Sequence, residues 1–141
     1  MEPIHVAAVA ELEKLCFSDP WSEESVVSEL DNPLSCWLVA LEGACVAGYV
    51  GSQTVMAETD MMNLAVHPDW RRRGIAKELV NALVEELKQR GSRCLTLEVR
   101  TSNVPAQKLY ESLGFVLIGR RPRYYQNPRE DADILRKEWE I

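Results

Sequence analysis

Asn63-Leu64-Ala65-Val66-His67-Pro68-Asp69-Trp70-Arg71-Arg72-Arg73-Gly74-Ile75-Ala76 is the stretch whose reading decides the fold. Asn63 to Val66 reads as a short apolar strand, His67-Pro68-Asp69 stops it, and a basic turn leads directly into a helix. Three arginines at the positive end of a helix dipole repel one another and the dipole unless a polyanion sits there. Gly74 leaves room for backbone N–H groups to close around phosphate, and Ala76 keeps the next position small. The same helix carries Lys88 and Arg90 in its last turn, ahead of Gly91 as C-cap. Cations are ordinary at that end. A second set at the N-terminus points to a pyrophosphate-binding turn, the plain alternative being a solvated basic loop.

Downstream, the pattern predicts a helix over about residues 75–90, with Ile75, Leu79, Ala82, Leu83 and Leu87 as its buried stripe. Leu95 to Arg100 alternates as a strand: Leu95, Leu97 and Val99 face one way, Thr96, Glu98 and Arg100 the other. A helix between two strands makes them parallel neighbours joined by a right-handed crossover, and ligands of such units bind at the carboxyl ends of the strands. Ala65, Val66, Glu98 and Arg71 to Gly74 are thereby expected in one region. Ser102 or Asn103 caps a last helix, Val104 to Leu113. Phe115 to Arg120 and Ala132 to Glu138 are expected as closing strands around a long basic loop, Arg121 to Asp131.

Upstream, Val6, Val9, Leu12, Leu15 and Cys16 recur at helical spacing, and Ser22 caps a second helix that stops at Asp31-Asn32-Pro33. Trp21 is placed to pack on Val26 as a hydrophobic staple. Ser35 to Leu41 and Ala44 to Val55 flank a Glu42-Gly43 hairpin turn. A third strand, Asp60 to Val66, follows the polar Ala57-Glu58-Thr59 connection, so that the three strands form an antiparallel meander. The element order is that of a mixed α/β domain.

With 141 residues, 46% of them hydrophobic, the chain suffices for one good core and is too short for two ordinary domains. A net charge of −6 argues against general nucleic-acid binding, which needs a broad basic surface. The basic residues cluster locally, at Arg71 to Arg73 and Arg120 to Arg123, as suits a small polyanion. Cys16, Cys36, Cys45 and Cys94 lie apart in apolar runs without a metal-ligand spacing, so buried reduced thiols and no metal are expected. Without a signal peptide or a run near the ~20 apolar residues of a membrane span, the expectation is a cytoplasmic protein with no membrane partner.

Two residues have the makings of acid–base chemistry near the basic turn: Glu98, a carboxylate in mid-strand, and Tyr110, a phenol on a helix. The alternatives are an ion pair of Glu98 with Arg100 or Arg120 and a core aromatic at Tyr110. No nucleophile elbow is present, and Arg-Arg-Arg-Gly-Ile-Ala lacks the ending of a Walker lysine motif, which sets aside kinase and nucleotidase chemistry.

Val66-x-Pro68 followed by Arg71-x-x-Gly74-x-Ala76 resembles the Q/R-x-x-G-x-G/A signature of the GCN5-related N-acetyltransferases, the GNAT family. The likeness extends through Phe17-Ser18-Asp19-Pro20-Trp21-Ser22, Leu97-Glu98-Val99-Arg100-x-Ser102-Asn103, Ala106-x-x-Leu109-Tyr110-Glu111-Ser112-Leu113-Gly114-Phe115 and Tyr124-Tyr125 to Arg129-Glu130-Asp131-Ala132, roughly residues 15–137. Within the family it is similar to enzymes that acetylate the N-terminal alanine of a ribosomal protein. The resemblance implies a mixed antiparallel and parallel sheet with helices on both faces and acetyl-CoA at the splay between two parallel strands. It implies that Leu64, Ala65 and Val66 hold the acetyl and pantetheine part through their backbone. Arg71, Arg72, Arg73, Gly74, Ile75 and Ala76 would then cradle the pyrophosphate, and Asn103 would touch the pantetheine arm. Glu98 falls on the family's general base and Tyr110 on its general acid. Arg71 and Ala76 stand where glutamine and glycine are also frequent. Transfer to a lysine or small-molecule amine, or a non-catalytic acyl-CoA-binding module, are the other readings.

Overall fold

The computed structural model describes residues 1–140. A single turn of 3-10 helix, Pro3–His5, leads into α1 (Val6–Cys16) and then α2 (Glu23–Leu30). Next come the strands β1 (Ser35–Glu42), β2 (Cys45–Val55) and β3 (Glu58–Val66). Helix α3 (Ile75–Gln89), strand β4 (Cys94–Arg100), helix α4 (Val104–Ser112) and the strands β5 (Val116–Tyr125) and β6 (Glu130–Glu138) complete the chain. The six strands form one sheet in the order β1-β2-β3-β4-β6-β5. All pairs are antiparallel except β3 with β4, which is parallel as the helix between them requires.

The sheet separates two apolar clusters. Val6, Val9 and Leu12 of α1 and Val26 of α2 pack with Trp37, Tyr49 and Ala65 on one face. Ile75, Leu79, Val80, Leu83, Val84 and Leu87 of α3, with Tyr110, Leu113 and Phe115, pack on Val50, Met61, Leu95, Leu97 and Val99 on the other. Each such fully buried side chain contributes on the order of 1.5–3 kcal/mol of transfer free energy. The expected stripes need two corrections. Leu15 and Ala82 lie on the wet sides of their helices, while Val80 and Val84 are buried instead. Ser22 caps α2 as expected, its Oγ accepting from the Ser25 N–H at 3.1 Å, and Trp21 packs on Trp37 with ring centroids 5.3 Å apart. A side chain at Gly51 would run into the Trp37 ring, which explains the gap in β2.

Two loop expectations change, and so does the expectation that all four thiols are buried. The polar connection before β3 shrinks to a two-residue turn at Met56 and Ala57, whose φ values of 52° and 69° give the left-handed pair that a tight hairpin needs. The long loop Arg121 to Asp131 is largely strand: β5 runs on to Tyr125 and only residues 126–129 make the turn. Of the four cysteines, all free, Cys36 and Cys94 are buried, Cys16 is half-buried and Cys45 is exposed.

Two irregularities shape the site. Met62 is the extra residue of a β-bulge, because Gly51 pairs with Asn63 while Ser52 pairs with Met61. The bulge shifts the alternation of β3, so that Met61, Leu64 and Val66 meet the α3 cluster and Ala65 the α1 cluster. Second, β3 and β4 pair through Glu58–Cys94, Thr59–Leu95 and Asp60–Thr96 and then part. Beyond that point β4 stays paired to β6 as far as Arg100–Ala132, and β3 to β2 as far as Val66–Gly48.

Candidate active site

The parting of β3 and β4 opens a cavity of about 770 Å³. Met61 to Leu64 of β3, Leu97 to Arg100 of β4, Asn103, Ala106, Leu109 and Tyr110 line its inner walls. Cys16 to Asp19 and Trp21 form one flank, and Tyr124 to Pro128 the other. The flanks touch across the cavity, the Asn127 amide donating to both Asp19 carboxylate oxygens at 3.4 Å. Of the residues singled out in the sequence, Leu64, Glu98, Asn103 and Tyr110 share this cavity. Ala65, Val66 and the turn from Arg71 to Ala76 do not line it, and lie along the strand and loop that leave its floor.

Glu98 sits in mid-strand with its side chain 19% exposed. Burial raises its carboxyl above the ordinary range, the Arg121 guanidinium pulls it back, and Asp60 adds a smaller upward push. Neither Arg100 nor Arg120, the expected ion-pair partners, holds it. Arg100 donates to the carbonyls of Pro128 (2.8 Å) and Gln126 (3.1 Å), and Arg120 to Asp133 at 2.9 Å. The partner is Arg121, with Nε 3.6 Å from Oε1. It comes from β5, which reaches Glu98 across β6 because β6 is inserted between β4 and β5.

Tyr110 is buried, with its ring edge-on to Phe115 at 5.4 Å between centroids. Its hydroxyl donates to the Met61 thioether at 3.7 Å, a weak acceptor on the wall of the opening. Burial raises this phenol far above its usual range, with Tyr125 adding to the effect, so it stays protonated at neutral pH. Asn103, rather than Ser102, caps α4: its Oδ1 accepts from the Ala106 N–H at 3.2 Å. Glu130 braces that turn, accepting from the Ser102 N–H at 2.7 Å and the Thr101 hydroxyl at 3.0 Å.

The basic turn ends in Gly74, the N-cap of α3, with φ 77° and open space where a side chain would stand. Arg72 is also left-handed at φ 65°. No side chain caps α3, and among the described residues none of Arg71, Arg72 and Arg73 pairs with a carboxylate. Uncapped backbone donors at the start of a fifteen-residue helix beside unpaired guanidinium groups suit an anion. Arg71 partly faces inward, its Nε donating to the Val66 carbonyl at 3.2 Å. Arg73 lies over Trp70, 4.9 Å from the ring centroid.

One residue that braces the site from behind its wall is not singled out by the sequence. Glu13 of α1 is fully buried. It accepts from the Trp21 N–H at 2.8 Å, from the Asn63 amide at 3.1 Å and from the Tyr49 hydroxyl. It thereby ties the flank carrying Phe17 and Trp21 to the bulged segment of β3. Its position, four residues after Val9 on the buried stripe, was the available signal.

Comparison with known proteins agrees with this geometry. The chain is 36% identical over 137 residues to the ribosomal protein bS18-alanine N-acetyltransferase of Escherichia coli, covering 96% of this chain and 92% of that protein. It is 38% identical over 128 residues to the enzyme of the same name from Haemophilus ducreyi, covering 89% and 88%. The crystal structure of the ribosomal-protein-S18-alanine N-acetyltransferase from Escherichia coli superposes with a TM-score of 0.91, at 34% identity, over 100% of this chain and 92% of that one. The model of the acetyltransferase (GNAT) family matches residues 6–115. With its cavity between parting parallel strands and its uncapped basic turn, the chain belongs to the GNAT family of acetyltransferases.

Proposed function

We propose that this enzyme transfers the acetyl group of acetyl-CoA to the N-terminal amine of a protein, a ribosomal protein that begins with alanine. The observation that carries the reading is the cavity at the strand opening, where a half-buried carboxylate, Glu98, and a buried phenol, Tyr110, face the same space. The names of the relatives supply the substrate. The residues present fit acetyl-CoA. Arg71, Arg72, Arg73 and Gly74 to Ala76 would hold its pyrophosphate on the open N-terminus of α3. The unpaired edge from Leu64 to Val66 would take the pantetheine and acetyl part, beside Asn103.

Glu98, directly or through a water, takes a proton from the α-ammonium of the acceptor, and the freed lone pair attacks the thioester carbonyl. The His67 N–H donates to Ala47 of β2, so alternation turns the Val66 N–H the other way, where it would meet the developing oxyanion. As the tetrahedral intermediate collapses and its C–S bond breaks, Tyr110, kept protonated by burial, donates its proton to the departing thiolate and is reprotonated through water by the second proton that the amide nitrogen releases. An α-amine has a pKa of about 7.7–8.0 against about 10.4 for lysine, so a carboxylate of raised basicity handles it more readily near neutral pH. The negative chain favours a basic acceptor tail, and such a substrate places the reaction in the cytoplasm. Acetylation of a peptide with a free N-terminal alanine, followed by mass spectrometry, tests the assignment. Preferential transfer to the same peptide blocked at its N-terminus and carrying lysine would overturn it.

A further inference from the structure

Glu98 is the one carboxylate on the inner wall of the cavity formed by β4, and its cation is held unlike the other arginines nearby. Arg100 and Arg120 are fixed by hydrogen bonds of 2.8–3.1 Å to carbonyls or to Asp133. Arg121 approaches Glu98 only to 3.6 Å, beyond hydrogen-bonding distance, with its own side chain 57% exposed. Its guanidinium lies 5.7 Å from the ring centroid of Tyr124, a cavity-lining residue. Arg121 stands on the edge strand β5, where its side chain can swing outward without disturbing the core.

We propose that Arg121 is the displaceable counter-ion of Glu98, a positioning residue that balances the carboxylate's charge in the free enzyme and yields its place to the ammonium of the acceptor. This rests on Glu98 being the base. The groups near Glu98 are Arg121, Tyr124 and Tyr125 from β5 and Asp60 from β3, while Tyr110 of α4 lines the same cavity but packs with Leu97 and Val99 on the other face of β4. On β4 itself, Arg100 turns away to the β5–β6 turn and the Tyr125 ring, 4.4 Å from its centroid. An arriving ammonium therefore replaces one cation with another, and a half-buried carboxylate never loses its compensating charge. A neutral acceptor offers no such exchange. Once Arg121 has moved, the guanidinium no longer depresses the basicity of Glu98, just when the acceptor proton must leave.

The test compares Arg121→Gln and Arg121→Lys with the parent enzyme. Carbon-13 NMR of the glutamate carboxyls in the free protein should show the Glu98 titration moving to higher pH in Arg121→Gln and back toward the parent in Arg121→Lys. Calorimetry on CoA-loaded protein should show an alanine-ended peptide amine binding about two- to five-fold tighter to Arg121→Gln, the range set by so exposed a pair, with CoA affinity unchanged. An unmoved titration, or weaker peptide binding in Arg121→Gln, overturns the proposal. Neither readout depends on turnover. A failure of the base assignment would appear separately, as full activity in Glu98→Gln.

Discussion

The side-chain amide of Asn63 donates to both carboxylate oxygens of Glu13, 3.1 Å from each and fifty residues away in the chain. Among the described residues Glu13 has no cationic partner and is compensated by hydrogen bonds from Asn63, Tyr49 and the Trp21 backbone. Burial accordingly raises its carboxyl above the ordinary range, and the Trp21 and Asn63 donors oppose that shift.

Removing this acceptor strands three donors in the core. Glu13→Ala should lower stability by about 2–5 kcal/mol, from unsatisfied polar groups and a cavity together. Urea denaturation measures it. Glu13→Gln keeps the volume and should cost less, while raising KM for the peptide more than for acetyl-CoA, because the Phe17–Trp21 flank loses its tether. Equal stability in Glu13→Ala and the parent would refute the clamp.

The open N-terminus of α3 makes Gly74 the sharpest probe of cofactor binding. Gly74→Asp places a negative charge where the pyrophosphate would sit and should abolish acetyl-CoA binding in calorimetry. Gly74→Asn, neutral and of the same size, should retain part of it. Both variants bear a left-handed side chain costing about 1–2 kcal/mol, short of unfolding. Parent-like affinity in folded Gly74→Asp would exclude the turn from the site.

Glu98→Gln preserves shape and removes the proposed base, so turnover should fall about 10²- to 10⁴-fold with acetyl-CoA affinity unchanged. Because burial raises the Glu98 carboxyl and the proposed mechanism requires it ionised, kcat/KM should decline as pH falls through that raised value. The decline should vanish in the glutamine variant. Tyr110→Phe should slow turnover while leaving cofactor binding intact. A parent-like rate for Glu98→Gln at every pH would end its candidacy.

Glu130 supplies a dependence of stability on pH. Its hydrogen bonds from Ser102, Thr101 and Arg100 hold its carboxyl down to about 2. A depressed carboxyl stabilises the fold above the ordinary carboxylate pKa, and that contribution disappears as pH falls through the ordinary value toward the depressed one. Thermal unfolding across pH 5 to about 2 should therefore be less steeply pH-dependent in Glu130→Gln. A parent-like slope would mean that the brace at the α4 cap carries no such energy.

Periodicity and caps made most of the fold legible: helix α3, four of the five residues of its expected stripe, the alternation around Glu98 and the Ser22 cap stand where the sequence places them. What escaped follows from long-range order. Met56 and Ala57 carry no turn signature, and their left-handed geometry is imposed by the pairing of β2 with β3. Arg121 to Tyr125 reads as a basic loop because Pro122 and the arginines are poor strand formers, yet β6 pairs with this edge. The partner of Glu98 depends on β6 being inserted between β4 and β5, which no local pattern encodes. Glu13 went unread because two of its donors, Tyr49 and Asn63, come from strands far away in the chain.

The three register pairs that join β3 to β4 have a thermodynamic corollary. Strand hydrogen bonding continues on both sides of the opening but not across it, so the sheet is unfinished where its two halves meet. A ligand lodged there acts as a missing rung. Its binding energy is then shared with the cohesion of the molecule, and stability rises with free ligand as RT ln(1 + [L]/Kd). Amide exchange along Leu64 to Val66 would slow in the same proportion, making the unfinished seam a gauge of cofactor occupancy.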